Sequence, residues 1–292
     1  MSNTILEIKH LKKYYGKKRG IEDVSLKLEK GDIYGFIGPN GAGKSTTIRA
    51  IMNLININSG EIFFNGNILD KDDILSKSKI GYLPSEINLY EDMSVKEIFN
   101  YHESFYKKDT SKRRKELVKI FKIDEDKKIE DLSLGNLKKV GIVLSLIHEP
   151  ELLILDEPTS GLDPIMQSKF HGILLEEKEK GTTILYSSHV LNEVYNISNK
   201  IGFIKEGKII KEDTVENINK EEIIYITIKS NDIEAIKEDI NLEIKEEKES
   251  VVKFINKNTN INEIIKKLSK YKIEKLLIEK ISLEDLFENY YK

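Results

Sequence analysis

The nonapeptide Gly38-Pro39-Asn40-Gly41-Ala42-Gly43-Lys44-Ser45-Thr46 restricts this chain more than any other stretch. It has a glycine, four residues, then Gly-Lys-Ser, the spacing of a loop that wraps phosphate. Ile33, Phe36 and Ile37 precede it as a short apolar strand, and Ile48, Ile51, Met52 and Ile55 follow at helical spacing. The loop therefore joins a strand to a helix. Its glycines let backbone N–H groups turn inward onto phosphate oxygens, and the helix N-terminus adds positive dipole at the same point. Lys44 brings a full charge to the terminal phosphates, and the Ser45 hydroxyl is placed to ligate Mg²⁺.

A chain of 292 residues accommodates one large α/β domain and a small one. Forty-seven basic residues against fifty acidic ones leave a net charge of -3, which is no polycationic nucleic-acid surface, so no nucleic-acid partner is expected. The absence of cysteine excludes disulfides and thiolate metal sites. No stretch approaches the roughly 18 apolar residues of a membrane helix, and the N-terminus lacks the apolar centre of a secretory signal. A cytosolic chain is expected, with any membrane role exercised through a partner.

Thr4 to Leu28 alternates apolar and polar residues and predicts an antiparallel hairpin, with Tyr14-Tyr15-Gly16 between its strands. An aromatic there either stacks on a nucleotide base or is a plain strand residue. Gly60 to Leu69 predicts a second hairpin turning at Asn65-Gly66, and Ile80 to Leu83 a short strand ending at Pro84-Ser85-Glu86. From Ser94 to about Lys128 the pattern is helical and charged, as in a helical subdomain inserted into the α/β core. Ser133 is placed to cap the apolar helix that follows.

Leu152-Leu153-Ile154-Leu155 runs into Asp156-Glu157, the mark of a buried parallel strand with carboxylates at its C-terminal edge. Beside a phosphate loop, Asp156 offers Mg²⁺ an oxygen and Glu157 can orient or deprotonate an attacking water. Ser160 to Pro164 predicts a turn opening a helix. Thr182 to Tyr186 predicts another strand of the same sheet, delivering His189 to the edge that carries the two acids, where it is placed to sense phosphate. Ile201 to Ile204 and Lys208 to Ile210 form a small hairpin.

In this order the motifs resemble the ATP-binding subunit of an ATP-binding-cassette (ABC) transporter, over residues 4 to about 215. The resemblance implies an α/β fold, a P-loop NTPase cassette with an antiparallel β subdomain and an inserted helical subdomain. It implies Tyr15 as base-stacking aromatic, Gly38 to Thr46 as the first Walker motif, Leu152 to Glu157 as the second, Asp163 as the loop that meets the other subunit, and His189 as the switch histidine. Two departures stand out. The family signature Leu-Ser-Gly-Gly-Gln reads Leu132-Ser133-Leu134-Gly135-Asn136 here, keeping the Ser and second Gly that touch the partner's nucleotide. Glu86 stands where the family generally has a glutamine; it still offers the metal an oxygen but adds negative charge near phosphate.

The implied mechanism is a dimer, of identical or closely related cassettes, closing on two ATP molecules. Each ATP is held by one subunit's phosphate loop with Mg²⁺ on Ser45, Asp156 and Glu86, and capped by the other's Ser133 and Gly135. Hydrolysis with Glu157 as base and His189 on the γ-phosphate reopens it. The implied partner is a separate membrane permease docked near Glu86 to Phe99, which places the chain on the cytoplasmic face of the membrane. A soluble cassette ATPase acting on ribosomes or DNA, or an ATP-binding scaffold without turnover, are the alternatives.

The cassette is expected over residues 1–216, with helical insertion at about 88–140, and an accessory domain over 217–292. The latter reads as β-α-β-β-α-β, a small α+β ferredoxin-like domain. Asn260 and Glu263 are expected to form a capping box, and Ser282 to cap a last helix. No chemistry is legible there, and a packing or dimer-stabilising role is expected. Such an extension resembles those of exporter ATPase subunits that serve antibiotics, peptides, ions or polysaccharides.

Overall fold

The computed structural model describes residues 3–220, 223–257, 260–281 and 285, and the chain divides into two compact units between Val215 and Glu216. In the first unit, β1 (Thr4–Tyr15) and β2 (Lys18–Glu29) form an antiparallel ribbon. Leu6, Ile8 and Leu11 stand opposite Leu28, Leu26 and Val24, and all six are buried. Tyr14 and Tyr15 belong to β1 itself and not to the turn, a correction to the expected hairpin.

The strand β3 (Ile33–Ile37) leads through the phosphate loop into α1 (Lys44–Ile51). The apolar spacing suggests a longer helix, but Asn53 takes a left-handed φ of 54° and ends it, leaving Ile55 outside. Next come β4 (Ser59–Phe64) and β5 (Asn67–Ile68), whose turn residues Asn65 and Gly66 both have positive φ, as a two-residue hairpin turn requires. The short α2 (Ile74–Lys77) precedes β6 (Ile80–Leu83).

The helical insertion contains α3 (Val95–Glu103) and α4 (Ser111–Phe121), followed by α5 (Leu134–Leu146). A full capping box opens α3: Ser94 Oγ accepts from Glu97 N–H at 3.2 Å and Glu97 Oε2 accepts from Ser94 N–H at 2.7 Å. The rest of the unit is β7 (Leu152–Asp156), α6 (Pro164–Glu179), β8 (Thr183–Ser188), α7 (Leu191–Ile197), β9 (Lys200–Lys205) and β10 (Lys208–Thr214). The buried Arg113 of α4 reaches Glu177 of α6 at 2.7 Å, tying the insertion to the α/β core through a pair from which solvent is largely excluded. Removing one partner of such a pair typically costs about 3–5 kcal/mol.

The sheet order is β5-β4-β1-β2-β10-β9-β3-β8-β7-β6. Within it β9, β3, β8, β7 and β6 run parallel. Every residue of β3, β7 and β8 is buried, as expected of strands covered on both faces. Each fully buried Ile, Leu or Phe there contributes about 1.5–3 kcal/mol. The antiparallel strands are not a detached subdomain: the Gly207 carbonyl accepts from Glu22 N–H and Asp23 N–H at 2.9 and 3.0 Å, joining β10 to β2.

The helix α8 (Val215–Lys220) spans the division between units. The second unit then follows as β11 (Ile224–Ser230), α9 (Ile233–Ile240), β12 (Glu243–Lys248), β13 (Val251–Asn256), α10 (Ile261–Leu268) and β14 (Ile273–Lys280). Its sheet order β12-β13-β11-β14, antiparallel throughout, is the ferredoxin-like arrangement with first and third strands central. Ile226, Ile228, Val252 and Phe254 on one face pack with Ile236 and Ile240 of α9 and Ile264 and Leu268 of α10. The expected capping box at Asn260 is a simpler cap: Asn260 Oδ1 accepts from Asn262 N–H at 2.9 Å, one residue before Glu263. The helix expected from Ser282 lies outside the described residues.

His148, buried just past the end of α5, stacks on Tyr106 with ring centroids 4.5 Å apart. Burial first, and the neighbouring His102 second, push it down from 6.5 to about 4. A depressed folded-state value means that the unfolded chain takes up the proton first as pH falls. Stability is therefore full above pH 6.5 and declines between 6.5 and about 4, at up to about 1.4 kcal/mol per pH unit for this proton. Chemical denaturation across that range is expected to show a shallower decline for His148→Phe than for the parent chain.

Candidate functional site

Parallel strand order brings four loops to one edge. The loops after β3, β8, β7 and β6 carry the phosphate loop, His189, Glu157 and Glu86, and β8 lies between β3 and β7, with Ile37 opposite Ser188 and Asp156 opposite Ser187. At that edge lies a cleft of about 510 Å³, lined by Asn40, Gly41, Gly43, Lys44, Ser45 and Thr46 of the loop and by Ser85, Glu86, Glu157 and His189. Tyr15, at the end of β1, and Arg19 form its outer wall. Gly43 has φ 113°, and a β-carbon there would stand 2.8 Å from the Gly20 carbonyl, so only glycine lets the loop pass this close. Gly38, Pro39 and Ala42 do not line the cleft; the carbonyls of Gly38 and Pro39 take the Lys44 ammonium at 2.7 and 3.4 Å.

Glu157 is the meeting point. One carboxylate oxygen lies 3.4 Å from Lys44 Nζ and the other 2.9 Å from His189 Nδ1. A carboxylate can only accept, so Nδ1 carries the hydrogen and Nε2 is the ring nitrogen left to meet a ligand. The backbone of Glu157 is left-handed, with φ 48°, a conformation that costs a non-glycine residue about 1–3 kcal/mol. Its N–H donates to the Ser187 carbonyl at 3.1 Å.

Asp156, one residue earlier, is fully buried behind the cleft. Its Oδ1 accepts from Ser187 Oγ at 2.7 Å, whereas Oδ2 has no hydrogen-bond partner. A buried carboxylate oxygen left unsatisfied is costly unless a cation or its bound water takes it up. With Ser45 and Glu86 on the adjoining cleft wall, the donor set fits a hard divalent cation shared with phosphate, which needs only one or two protein oxygens.

Lys138, on the second turn of α5, belongs to no motif legible in the sequence. Its buried Nζ donates to the carbonyls of Ser85 at 3.1 Å, Pro84 at 3.5 Å and Glu157 at 3.3 Å. Burial lowers the ammonium pKa, and the Asp156 and Glu157 carboxylates oppose that shift. The amine thus fastens the loop that carries Glu86 to the peptide that carries Glu157. In the sequence it stands beside Lys139 at the head of the apolar run Val140 to Leu144, and nothing there tells the two lysines apart.

Ser133, Gly135 and Asp163 are not in the cleft of their own chain. Ser133 Oγ caps α5 by accepting from Asn136 N–H at 3.3 Å, Gly135 packs on the Gly161 backbone, and Asp163 caps α6 by accepting from Met166 N–H at 3.0 Å.

A ten-stranded sheet with a phosphate loop, an acid pair and a histidine at one edge defines a nucleotide-binding cassette. The family model described as ABC transporter matches residues 21–160. The lantibiotic transport ATP-binding protein of Streptococcus pyogenes is 40% identical over 220 residues, covering 74% of this chain and 95% of that one. The linearmycin resistance ATP-binding protein of Bacillus subtilis (strain 168) is 36% identical over 233 residues, 77% of this chain and 75% of that one. Among solved structures, an ATP-binding subunit of an ABC transporter superposes with TM-score 0.69 at 26% identity, covering 91% of this chain and all of that one. A dimeric bacterial ABC transporter cassette superposes with TM-score 0.65 at 25% identity, covering 72% of this chain and 99% of that one. The chain belongs to the ABC transporter family as an ATP-binding subunit.

Replacing Lys138 by Met is expected to lower the maximal rate of ATP hydrolysis about tenfold or more by loosening Glu157, while ATP affinity changes little. Steady-state kinetics with nucleotide-binding titration check this; an equal loss of affinity would assign Lys138 a merely structural role.

Proposed function

We propose that this chain is the Mg²⁺-dependent ATPase subunit of a membrane exporter for antibiotics or peptides, working as a pair of cassettes beneath a separate permease. The observation that carries the catalytic part is the Lys44–Glu157–His189 chain of contacts in the cleft. In this reading Tyr15 stacks on the base, residues Gly38 to Thr46 wrap the phosphates, and Lys44 draws charge from the terminal ones. Ser45, Asp156 and Glu86 would hold Mg²⁺, which would supply positive charge against the phosphates. Glu157 aligns and deprotonates water, and His189 holds its carboxylate in place from one side while meeting the γ-phosphate from the other.

Ser133, Gly135 and Asp163, lying outside their own cleft, act on the partner cassette's nucleotide. Superposition on a dimeric cassette supports this division of labour. The substrate class is supported by relatives named for lantibiotic transport, linearmycin resistance and bacitracin transport, the last being 34% identical, from Bacillus licheniformis, over 79% of this chain and 76% of that one.

Among the described residues no helix is long and apolar enough to cross a membrane, and a permease needs a docking place. A groove of about 440 Å³ lies just beyond Glu86, walled by Leu89, Tyr90, Ile98, Tyr101, Phe105 and Leu144. Tyr90, Tyr101 and Phe105 are exposed there and meet edge to face, Tyr90–Tyr101 at 6.1 Å and Tyr101–Phe105 at 5.0 Å between centroids. Exposed aromatics lining a groove are apt anchors for a partner's helix. Docked so, the chain sits on the cytoplasmic face of the membrane. The accessory unit over residues 217–292 serves association; among its described residues no group of side chains could hold a metal ion.

Glu157→Gln is expected to reduce ATP hydrolysis by about 10²–10⁴-fold while ATP still binds. An unchanged rate in a hydrolysing preparation would remove Glu157 from the mechanism. Phe105→Glu is expected to leave ATP binding intact and to abolish recovery of a multi-helix membrane protein with the tagged chain from detergent-solubilised membranes. Recovery at the parental level would move the docking site elsewhere.

A further inference from the structure

The second unit has two sheet edges, and they differ in kind. β12 carries five charged side chains and one exposed apolar one, Ile244, whereas β14 carries exposed Leu276 and Leu277 side by side in its middle. β14 pairs on one side with β11, and among the described residues no strand lies on its other side. The outward N–H and C=O groups of such an edge strand are a template for another strand.

The β14 sequence, Ile273-Glu-Lys-Leu-Leu-Ile-Glu-Lys280, is complementary to itself when reversed. In an antiparallel pair, residues directly opposite share a face, and side chains alternate faces along a strand. A two-fold axis perpendicular to the sheet keeps each side chain on its face. Symmetric pairing of two β14 strands must therefore be centred on a residue, never between two.

Centred on Lys275 or Glu279, like charges meet. Centred on Leu276 or Ile278, Leu277 faces Lys275 or Glu279. Only Leu277 as centre matches every position: Leu277 meets Leu277, Leu276 meets Ile278, Lys275 meets Glu279, and Glu274 meets Lys280. The faces agree as well. Leu276 and Ile278 stand opposite Ile228 and Ile226 of β11, on the face covered by α9 and α10, so their contact across the axis would continue the unit's apolar core.

We infer that β14 is a homodimerisation edge: two copies of this chain join β14 to β14, antiparallel about Leu277, into one eight-stranded sheet. The interface is isologous, the same patch on both copies, as closed two-fold symmetry demands. Backbone hydrogen bonds supply attachment, and the cross-strand pairs Leu276–Ile278 and Lys275–Glu279, each present twice, select the register. Because the surface lies wholly in the second unit, it needs neither ATP nor the cassette site.

The test uses the full-length chain without nucleotide. It has no cysteine, so Leu277→Cys introduces the only thiol. Opposed residues in an antiparallel pair have Cα atoms about 4.5–5.5 Å apart, within disulfide reach. Mild oxidation should convert Leu277→Cys to a covalent dimer, and should do so poorly for Leu276→Cys, whose opposite residue is Ile278. By sedimentation velocity, Lys275→Glu and Glu279→Lys alone should each weaken the dimer about tenfold or more. Mixing these two variants should restore association, because each strand then offers the charges that the other lacks, and the double variant should dimerise like the parent.

Recovery on mixing can come only from folded chains, so misfolding does not mimic support. The inference is overturned if Leu277→Cys stays uncrosslinked on oxidation, or if the charge variants associate as the parent does, or if mixing restores nothing.

Discussion

Parallel pairing of β3, β8 and β7 is the constraint on which the rest of the cassette depends. All three strands are buried along their whole length, and the one charged residue they contain, Asp156, stands where β7 leaves the sheet. Shared direction puts the exits of all three at one edge, and the order β3-β8-β7 spaces them a strand apart. Lys44 lies more than a hundred residues from Glu157 and His189 in the chain, yet the three meet within hydrogen-bonding or ion-pair distance for that reason. Had the strands alternated in direction, the same motifs would fall on opposite ends of the sheet.

Glu157 shows what the edge demands locally. It is held in a left-handed backbone by bonds on both sides of its own residue, its N–H to Ser187 and its carbonyl from Lys138. Such strain persists only where surrounding contacts over-determine it, and here the contacts come from β8 and α5. The buried Lys138 ammonium also balances the two carboxylates beside it, so a cation otherwise awkward in an apolar helix has electrostatic reason to be there. Through it, the loop bearing Glu86, next to the aromatic groove, shares one fastening with Glu157.

The two units solve different problems with the same material. The cassette hides its apolar strands under helices and keeps polar groups for the edge. The second unit covers one face of a four-stranded sheet with α9 and α10 and carries no comparable cluster of chemical groups among its described residues. Its distinctive property is the self-matching order of charge and apolar side chains along β14.

Much was legible in the one-dimensional string. The phosphate loop, the Leu152–Asp156 strand and the β-α-β-β-α-β succession are local patterns, set by spacing and by the conformational freedom of glycine, and they determined the fold class and the identity of the site's main groups. Other features were not local and could not be read. Tyr15 ends a strand because β2 pairs with it, α1 stops early because Asn53 turns left-handed, and β10 closes onto β2 through the Gly207 carbonyl. Lys138 is a lysine like forty-odd other basic residues until α5 carries it against the backbone of Glu157. Residue type and spacing decide what a segment can become, since they act within a few residues; which distant groups touch depends on strand order and burial, and only the tertiary structure decides those.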